Sequence, residues 1–323
     1  MNIVASFHLY PPKHNCGAEW MAHHIFKHLQ SKGHNIRILL HQANKYRITN
    51  NYCFDGIDVY PPNQSVVDNL MRWGDAIFTH LDYTRWTIAS AKLYRKPVFH
   101  LIHNSHPYPE IMDAEKPQYI IYNSNWLKNL LNYPFNSYLL PPPVDYRHYD
   151  IGFDTSKNEY ITLINVNKNK GGEIFTEIAR AMPHKSFLGV LGSYDSQITY
   201  ELKNLVYISK IIDIREALKK TRVLLMPSEY ESWGRTATEA MSSGIPVICT
   251  EADGLKENCS NAAIYIKERG NIKAWVEAIS KLDQKETYAQ WSRKAKARSR
   301  EHDPRKALDG LERWIREMVT QYK

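Results

Sequence analysis

The sequence predicts an α/β protein built from two doubly wound, Rossmann-like units. Short runs rich in β-branched and aromatic residues alternate with helical patterns, as where NIVASFHLY is followed by GAEWMAHHIFKHLQSKG. The predicted strands are apolar on both faces, which is typical of a parallel sheet covered by helices. The alternation stops at PPPVDYRHYDIGFDTSKNEY and restarts at YITLINVN, so the same architecture is expected twice.

The length of the chain agrees with two domains. At about 150 residues per domain, a chain of 323 residues is expected to form two. The proline-rich break reads as a linker, and we place the first domain at 1–150 and the second at 151–304. We expect the two domains to face a central cleft, because open α/β sheets bind ligands at the carboxyl ends of their strands.

The composition is that of a globular protein with a diffuse positive charge. A net charge of +8 suits an anionic membrane, nucleic acid or phosphorylated ligands, although spread-out charge more often serves solubility. The sequence has no run of about 18 apolar residues and no basic signal-peptide region at its start. Four scattered cysteines without a CxxC pair favour free thiols, so we expect a cytoplasmic protein: Cys16, Cys53, Cys249 and Cys259.

Two glutamates eight residues apart stand out in LLMPSEYESWGRTATEAMSSGIPVICT. Glu231 lies in the loop after a predicted buried strand, and Glu239 lies in the first turns of the next helix. Gly234 between them permits close backbone approach at the helix start. Carboxylates accept paired hydroxyl hydrogen bonds, so we predict that Glu231 binds sugar hydroxyls and Glu239 ribose hydroxyls. A carboxylate that merely complements the helix dipole, worth about 0.3–1 kcal/mol, explains one glutamate but not the pair.

The sequence also predicts a phosphate-binding loop. In INVNKNKGGEIF a strand is followed by Lys170 and by Gly171 and Gly172, which open a helix. A compact ammonium at a helix start suits a diphosphate. A solvated surface lysine is the default alternative, and the glycines favour phosphate binding. The glycine turn in GVLGSYD, with Gly192, is expected to approach a nucleotide base.

The segment PSEYESWGRTATEAMSSGIPVICTEADGLKE resembles the donor-binding segment of retaining GT-B glycosyltransferases of family 4, with Glu231 and Glu239 as the family's E-x7-E pair. The resemblance implies that Lys170 is the second member of a basic phosphate-binding pair, while asparagines occupy the region where the family often has arginine. It implies a catalytic group of His103, Glu231 and Lys170. The implied donor-binding residues are Gly17, Ala18, Asn165, Asn167, Lys170, Gly192, Ser232, Trp233, Gly234 and Glu239.

The resemblance also implies how the chain acts. A helix at about 305–323 would cross back to the first domain. The donor would be a UDP- or GDP-sugar, the acceptor hydroxyl would attack from the leaving-group face, and no cofactor would be needed. No D-x-D triplet occurs, so no metal is expected and activity should survive chelation. No zinc-protease, nucleophile-elbow or Walker motif occurs either.

The sequence leaves several acceptor classes open. A glycan, a lipid or a small molecule is expected first, with peripheral attachment to an anionic membrane as one possibility. A hydroxylated base in DNA, as for phage-type DNA glycosyltransferases, is the alternative, because the chain is basic and rich in aromatic residues. A non-catalytic nucleotide-sugar-binding relative and a nucleotide-sugar epimerase are further alternatives.

Overall fold

The computed structural model describes residues 1–14 and 16–322. The chain forms two compact units, one made of 1–143 with 305–322 and the other of 144–304. Both units are α/β, and each is built around one sheet. The sheet of the first unit is parallel except for one strand pair, and that of the second unit is wholly parallel. The predicted fold class is therefore confirmed.

Within the described residues, the first unit contains one eight-stranded sheet in the order β3-β4-β2-β1-β5-β6-β7-β8. All neighbours pair in parallel except β3 and β4, which form an antiparallel hairpin. The order reverses beside β1, whose neighbours are β2 and β5. The strands are β1 Asn2–Phe7, β2 Asn35–Leu40, β3 Tyr52–Phe54, β4 Ile57–Tyr60, β5 Ala76–Thr79, β6 Val98–Ile102, β7 Gln118–Tyr122 and β8 Ser137–Leu139.

The helices of the first unit include the last helix of the chain. Leu311 and Ile315 of that helix are fully buried in the same core as Phe78 and Phe99 of the sheet. The Tyr138 hydroxyl also donates to the Ala307 carbonyl over 2.8 Å. These helices are α1 Gly17–Ser31, α2 Gln64–Trp73, α3 Thr84–Tyr94, α4 Pro109–Met112, α5 Asn125–Leu131 and, numbered last in the chain, α13 Arg305–Tyr322.

The second unit contains, among the residues described, a six-stranded parallel sheet in the order β11-β10-β9-β12-β13-β14. The order reverses between β9 and β12, and this is where doubly wound sheets bind ligands. The strands are β9 Tyr160–Ile164, β10 Ser186–Val190, β11 Leu205–Ile208, β12 Thr221–Met226, β13 Val247–Thr250 and β14 Ala263–Ile266. The helices are α6 Tyr146–Tyr149, α7 Gly172–Ala181, α8 Arg215–Leu218, α9 Arg235–Ser242, α10 Asp253–Cys259, α11 Ile272–Lys281 and α12 Lys285–Glu301.

The second unit begins at Val144 rather than at the predicted residue 151. The segment interpreted as a linker is packed into this unit. Ser243 Oγ donates to the Tyr149 carbonyl over 2.5 Å, and Thr155 is buried with its hydroxyl 2.9 Å from that of Tyr288. Prolines mark where the first unit ends, and the aromatic and polar residues after them already belong to the second.

No helix in 1–14 or 16–322 is both long enough and apolar enough to cross a membrane.

Candidate active site

The sequence-predicted donor residues lie at the switch point of the second sheet. The loop after β9 carries Asn165, Asn167 and Lys170, and the loop after β12 carries Glu231. Strands β9 and β12 are parallel neighbours, so both loops leave the sheet at the same edge. Residues separated by about sixty positions in the chain are thereby brought into contact.

The contact is an ion pair between Lys170 and Glu231. Lys170 Nζ lies 2.6 Å from Glu231 Oε1, with side chains 23% and 9% exposed. Ser228 Oγ donates to the same oxygen over 3.0 Å. Burial opposes the charge on Lys170, but the adjacent Glu231 outweighs it and raises the pKa of Lys170 above its usual value. The pair therefore holds a fixed, fully protonated ammonium beside the end of the sheet.

Glycines allow this lysine to approach the β12 loop. Gly171 has φ +88°, and a Cβ there would lie 2.5 Å from the Pro227 carbonyl oxygen. A Cβ on Gly172 would lie 2.1 Å from the Val166 carbonyl oxygen. The Lys170 amide also donates to Asn167 Oδ1 over 2.8 Å. The backbone of the loop is thus packed too tightly for side chains at either glycine, and α7 starts at Gly172, two residues after Lys170.

The two asparagines of the β9 loop make hydrogen bonds that hold the loop in place. Asn165 has φ +66°, and its Oδ1 accepts from Gln197 Nε2 over 3.0 Å. Gly192 faces this residue, because an added Cβ would lie 2.3 Å from the Asn165 side chain. The Gly192 amide donates to Gln197 Oε1 over 2.7 Å. The Gln197 side chain therefore joins two loops, the β9 loop through Asn165 and the β10 loop through Gly192.

Glu239 has a partner of its own. It lies in α9, which begins after Gly234 in a left-handed conformation with φ +81°. Arg235 Nε donates to Glu239 Oε1 over 2.7 Å, and an Arg235 terminal nitrogen donates to the Tyr149 hydroxyl over 2.8 Å. Burial raises the pKa of Glu239, although Arg235 acts in the opposite direction. The two glutamates thus have different cationic partners, Lys170 and Arg235.

Ser232 and Trp233 connect these two groups along the chain. Trp233 is 3% exposed, and its ring lies 5.1 Å from that of His302. Its carbonyl and that of Gly234 accept from the Asn258 amide over 3.1 and 3.0 Å. The Trp233 side chain therefore belongs to the interior of the unit, and this segment fixes the start of α9.

The remaining predicted residues lie in the first unit. Gly17 and Ala18 begin α1, and a Cβ on Gly17 would meet no other atom within 4 Å. His103 follows β6, and its Nε2 lies 3.1 Å from His80 Nδ1. Burial lowers the pKa of His103 to about 4, so its ring is neutral at physiological pH. His100, in contrast, is buried with Nε2 2.8 Å from Gln118 Oε1.

Sequence reasoning missed four supporting side chains: Tyr149, Gln197, Ser228 and Arg235. Arg235 had a usable signal, since an arginine four residues before a glutamate on a helix predicts an ion pair. Ser228 stands next to the strand end that was already singled out. Tyr149 and Gln197 come from distant segments, and only the fold shows where they pack.

A family model matches the second unit. Residues 154–298 match the family model "Glycosyl transferases group 1", which covers most of the second unit and the loops described above. No curated protein sequence matches the chain at a significant level.

Solved structures match over nearly the whole chain. Sucrose-phosphate synthase from Thermosynechococcus elongatus superposes with a TM-score of 0.77 at 14% identity, covering 99% of this chain and 100% of that one. Anabaena HepE in complex with UDP and glucose gives 0.73 at 15% identity, with coverage of 99% and 100%. A glycosyltransferase from Rickettsia africae gives 0.71 at 13%, covering 99% and 98%. The chain thus has the GT-B fold of these glycosyltransferases, and its second unit carries the group 1 sequence pattern.

Proposed function

We propose that this protein is a retaining glycosyltransferase that moves a sugar from a nucleotide-diphosphate sugar to an acceptor hydroxyl. The observation that carries the proposal is the Lys170–Glu231 pair at the switch point of the second sheet, inside the segment that matches the group 1 family. The UDP and glucose bound to one structural neighbour support the same class of ligand.

Lys170 supplies the positive charge for the diphosphate. An ammonium has three donors, so Lys170 can keep its contact with Glu231 and still donate to phosphate oxygens. The Gly172 amide donates to the Asn167 carbonyl, and the next amides in the first turn of α7, those of Glu173 and Ile174, favour a nearby anion. Charge that develops on the departing diphosphate is thereby stabilised by groups already in position, and such preorganisation is usually the largest catalytic contribution.

Three other predicted residues have roles in this proposal. Glu231 is held by Lys170 and Ser228, and its carboxylate has remaining acceptor capacity for sugar hydroxyls. Glu239 would bind ribose hydroxyls while sharing its carboxylate with Arg235. His103, neutral and on the first unit, would contact the transferred sugar, as the family resemblance implies.

The course of the reaction follows from the same resemblance. The acceptor hydroxyl attacks from the face that the diphosphate leaves, a phosphate oxygen takes its proton, and the anomeric configuration is retained. We propose that the donor is neutralised by Lys170 and helix amides without a divalent cation. A UDP-sugar is the first donor to test, because two neighbouring structures hold UDP and one holds UDP-glucose.

The acceptor class proposed is a glycan, a lipid or a small molecule, with duplex DNA as the alternative. Titration of DNA against salt separates them, since several phosphate contacts give a log–log slope of about −0.9 per phosphate. Absence of binding at about 50 mM salt, together with transfer to a glycan or lipid, would exclude DNA.

The proposed function is tested by a donor screen followed by product analysis. Nucleotide sugars are ranked by thermal shift, and the best donor is incubated with acceptor classes while NMR follows the anomeric signal. A product that retains the donor's anomeric configuration supports the proposal. Donor binding with neither sugar transfer nor slow donor hydrolysis would indicate a non-catalytic relative. Isomerisation of the donor in the absence of any acceptor would indicate an epimerase.

A further inference from the structure

A cluster of metal-ligand side chains lies at the switch point of the first sheet. His8 follows β1, and His80 follows β5, its parallel neighbour, with Ser6 in register with Thr79. Glu19 lies in the first turn of α1. No sequence spacing links these residues, because the topology of the sheet brings them together.

The ligand atoms of this cluster are close to the spacing that a metal ion requires. Glu19 Oε1 lies 3.0 Å from His8 Nε2, and one ligand atom each of His8, Glu19 and His80 lie within 4.8 Å of one another. Ligands at about 2.0–2.2 Å around a tetrahedral zinc ion are roughly 3.3 Å apart. Small side-chain movements therefore suffice to close the three groups around one ion.

Two atoms of the cluster are buried with no hydrogen-bond partner among residues 1–14 and 16–322. Glu19 and His80 are each 1% exposed, and the two atoms are Glu19 Oε2 and His80 Nε2. A buried polar atom left unsatisfied costs about 1–3 kcal/mol. An ion that accepts both lone pairs removes this cost, so the two orphaned atoms point to a ligand.

His80 is oriented as metal-binding histidines are. Its Nδ1 lies 3.1 Å from His103 Nε2, and its ring stacks on Phe7 with centroids 3.9 Å apart. When Nδ1–H donates to His103, the Nε2 lone pair is free to bind a cation. A hydrogen bond from the second nitrogen of a ligating histidine fixes the tautomer in most protein metal sites.

Glu19 Oε1 has a second histidine beside it. His14 Nδ1 lies 3.3 Å from Glu19 Oε1, and Cys16 Sγ lies 3.6 Å from His14 Nε2. His14 and Cys16 thus lie close enough to supply a further nitrogen or sulfur ligand.

We propose that His8, Glu19 and His80 bind a divalent transition-metal ion of the zinc class, with His14 or water as the fourth ligand. Two imidazoles and one carboxylate are a known zinc ligand set. The ion would tie the start of α1 to the ends of β1 and β5. This site lies within the first unit, and none of its three ligands is a proposed donor contact, although His80 contacts His103.

The proposal is tested with the untagged full-length chain, stripped with a chelator and dialysed. Titration with Zn²⁺ by calorimetry should show about one ion per chain, and Co²⁺ should give the visible absorption bands of a tetrahedral or five-coordinate site. Glu19→Gln and His80→Asn should lower the Zn²⁺ affinity at least about 100-fold, since even second-shell changes cost 10–100-fold. His106→Asn, an exposed histidine of the same unit, should leave the affinity unchanged.

Two outcomes would overturn the site. One is a wild-type chain that binds no Zn²⁺ or Co²⁺ at micromolar concentration. The other is a pair of variants that keep the wild-type affinity. If a variant fails to fold by circular dichroism, X-ray absorption of the Zn²⁺-loaded wild type decides, because a shell without two imidazoles would equally contradict the proposal.

Discussion

At the scale of single residues, the site depends on one lysine held by its neighbours. Lys170 Nζ contacts Glu231, its amide is bound by Asn167, and two glycines let its loop reach the β12 loop. The sequence identified both Lys170 and Glu231, but it assigned them separate ligands. Their ion pair could not be predicted, since it depends on β9 and β12 being neighbours in the sheet.

Lys170→Ala should lower the turnover number by about 10²–10³, the loss expected for one preorganised donor, and should weaken donor binding. The variant removes the charge that faces the diphosphate and leaves Glu231 without its cation. Steady-state kinetics and donor calorimetry measure both effects. Lys168→Ala is the matched control, because Lys168 is an exposed lysine of the same loop. Wild-type rate and affinity in Lys170→Ala would remove this residue from the mechanism.

At the scale of elements, the prediction from sequence succeeded where apolar runs are long. The strands that flank the site and the helices α1, α7 and α9 were all expected from their patterns. Helices α2 and α10 were not. Asn63, whose side chain caps α2 by accepting from the Val66 amide, was a usable start signal. Helix α10 carries mostly polar residues, and its core contact through Leu255 only becomes clear in the fold.

The junction between β9 and α7 should tolerate no side chain at its second glycine. Gly172→Ala places a Cβ against the Val166 carbonyl oxygen, a backbone atom that cannot rotate away. We expect a loss of about 1–3 kcal/mol in the free energy of unfolding, measured by urea denaturation. Gly270→Ala is the control, as a Cβ there meets nothing within 4 Å. Equal stability of the two variants would show that the loop is less tightly packed than described.

At the scale of the whole molecule, the chain carries two sheets whose switch points hold different chemistry. The second unit places a lysine–glutamate pair there, and the first places histidines and a glutamate. Twelve of the fourteen histidines lie in residues 1–150, but this bias alone does not show which of them come together. The sequence-based expectation of no metal rested on the absence of short motifs, and the first-unit cluster is assembled from residues far apart in the chain.

Donor affinity should be the same in excess EDTA and in buffer without chelator. We propose that Lys170 and helix amides of the second unit neutralise the diphosphate, whereas the ion proposed above has its ligands, His8, Glu19 and His80, in the first. Calorimetry of the best donor measures this directly. A large loss of affinity in EDTA that Mg²⁺ or Mn²⁺ restores would mean that a metal ion, not Lys170, neutralises the leaving group.

The central claim is that the second unit binds the diphosphate of a nucleotide sugar. It is tested most directly by calorimetric titration of the wild-type chain with matched nucleoside mono- and diphosphates, uridine and guanosine first. The account predicts that the preferred diphosphate binds at least about tenfold more tightly than its monophosphate, a difference of ~1.4 kcal/mol, because the second phosphate reaches Lys170 and the start of α7. Equal affinity for the two, or no nucleotide binding at all, would contradict the account.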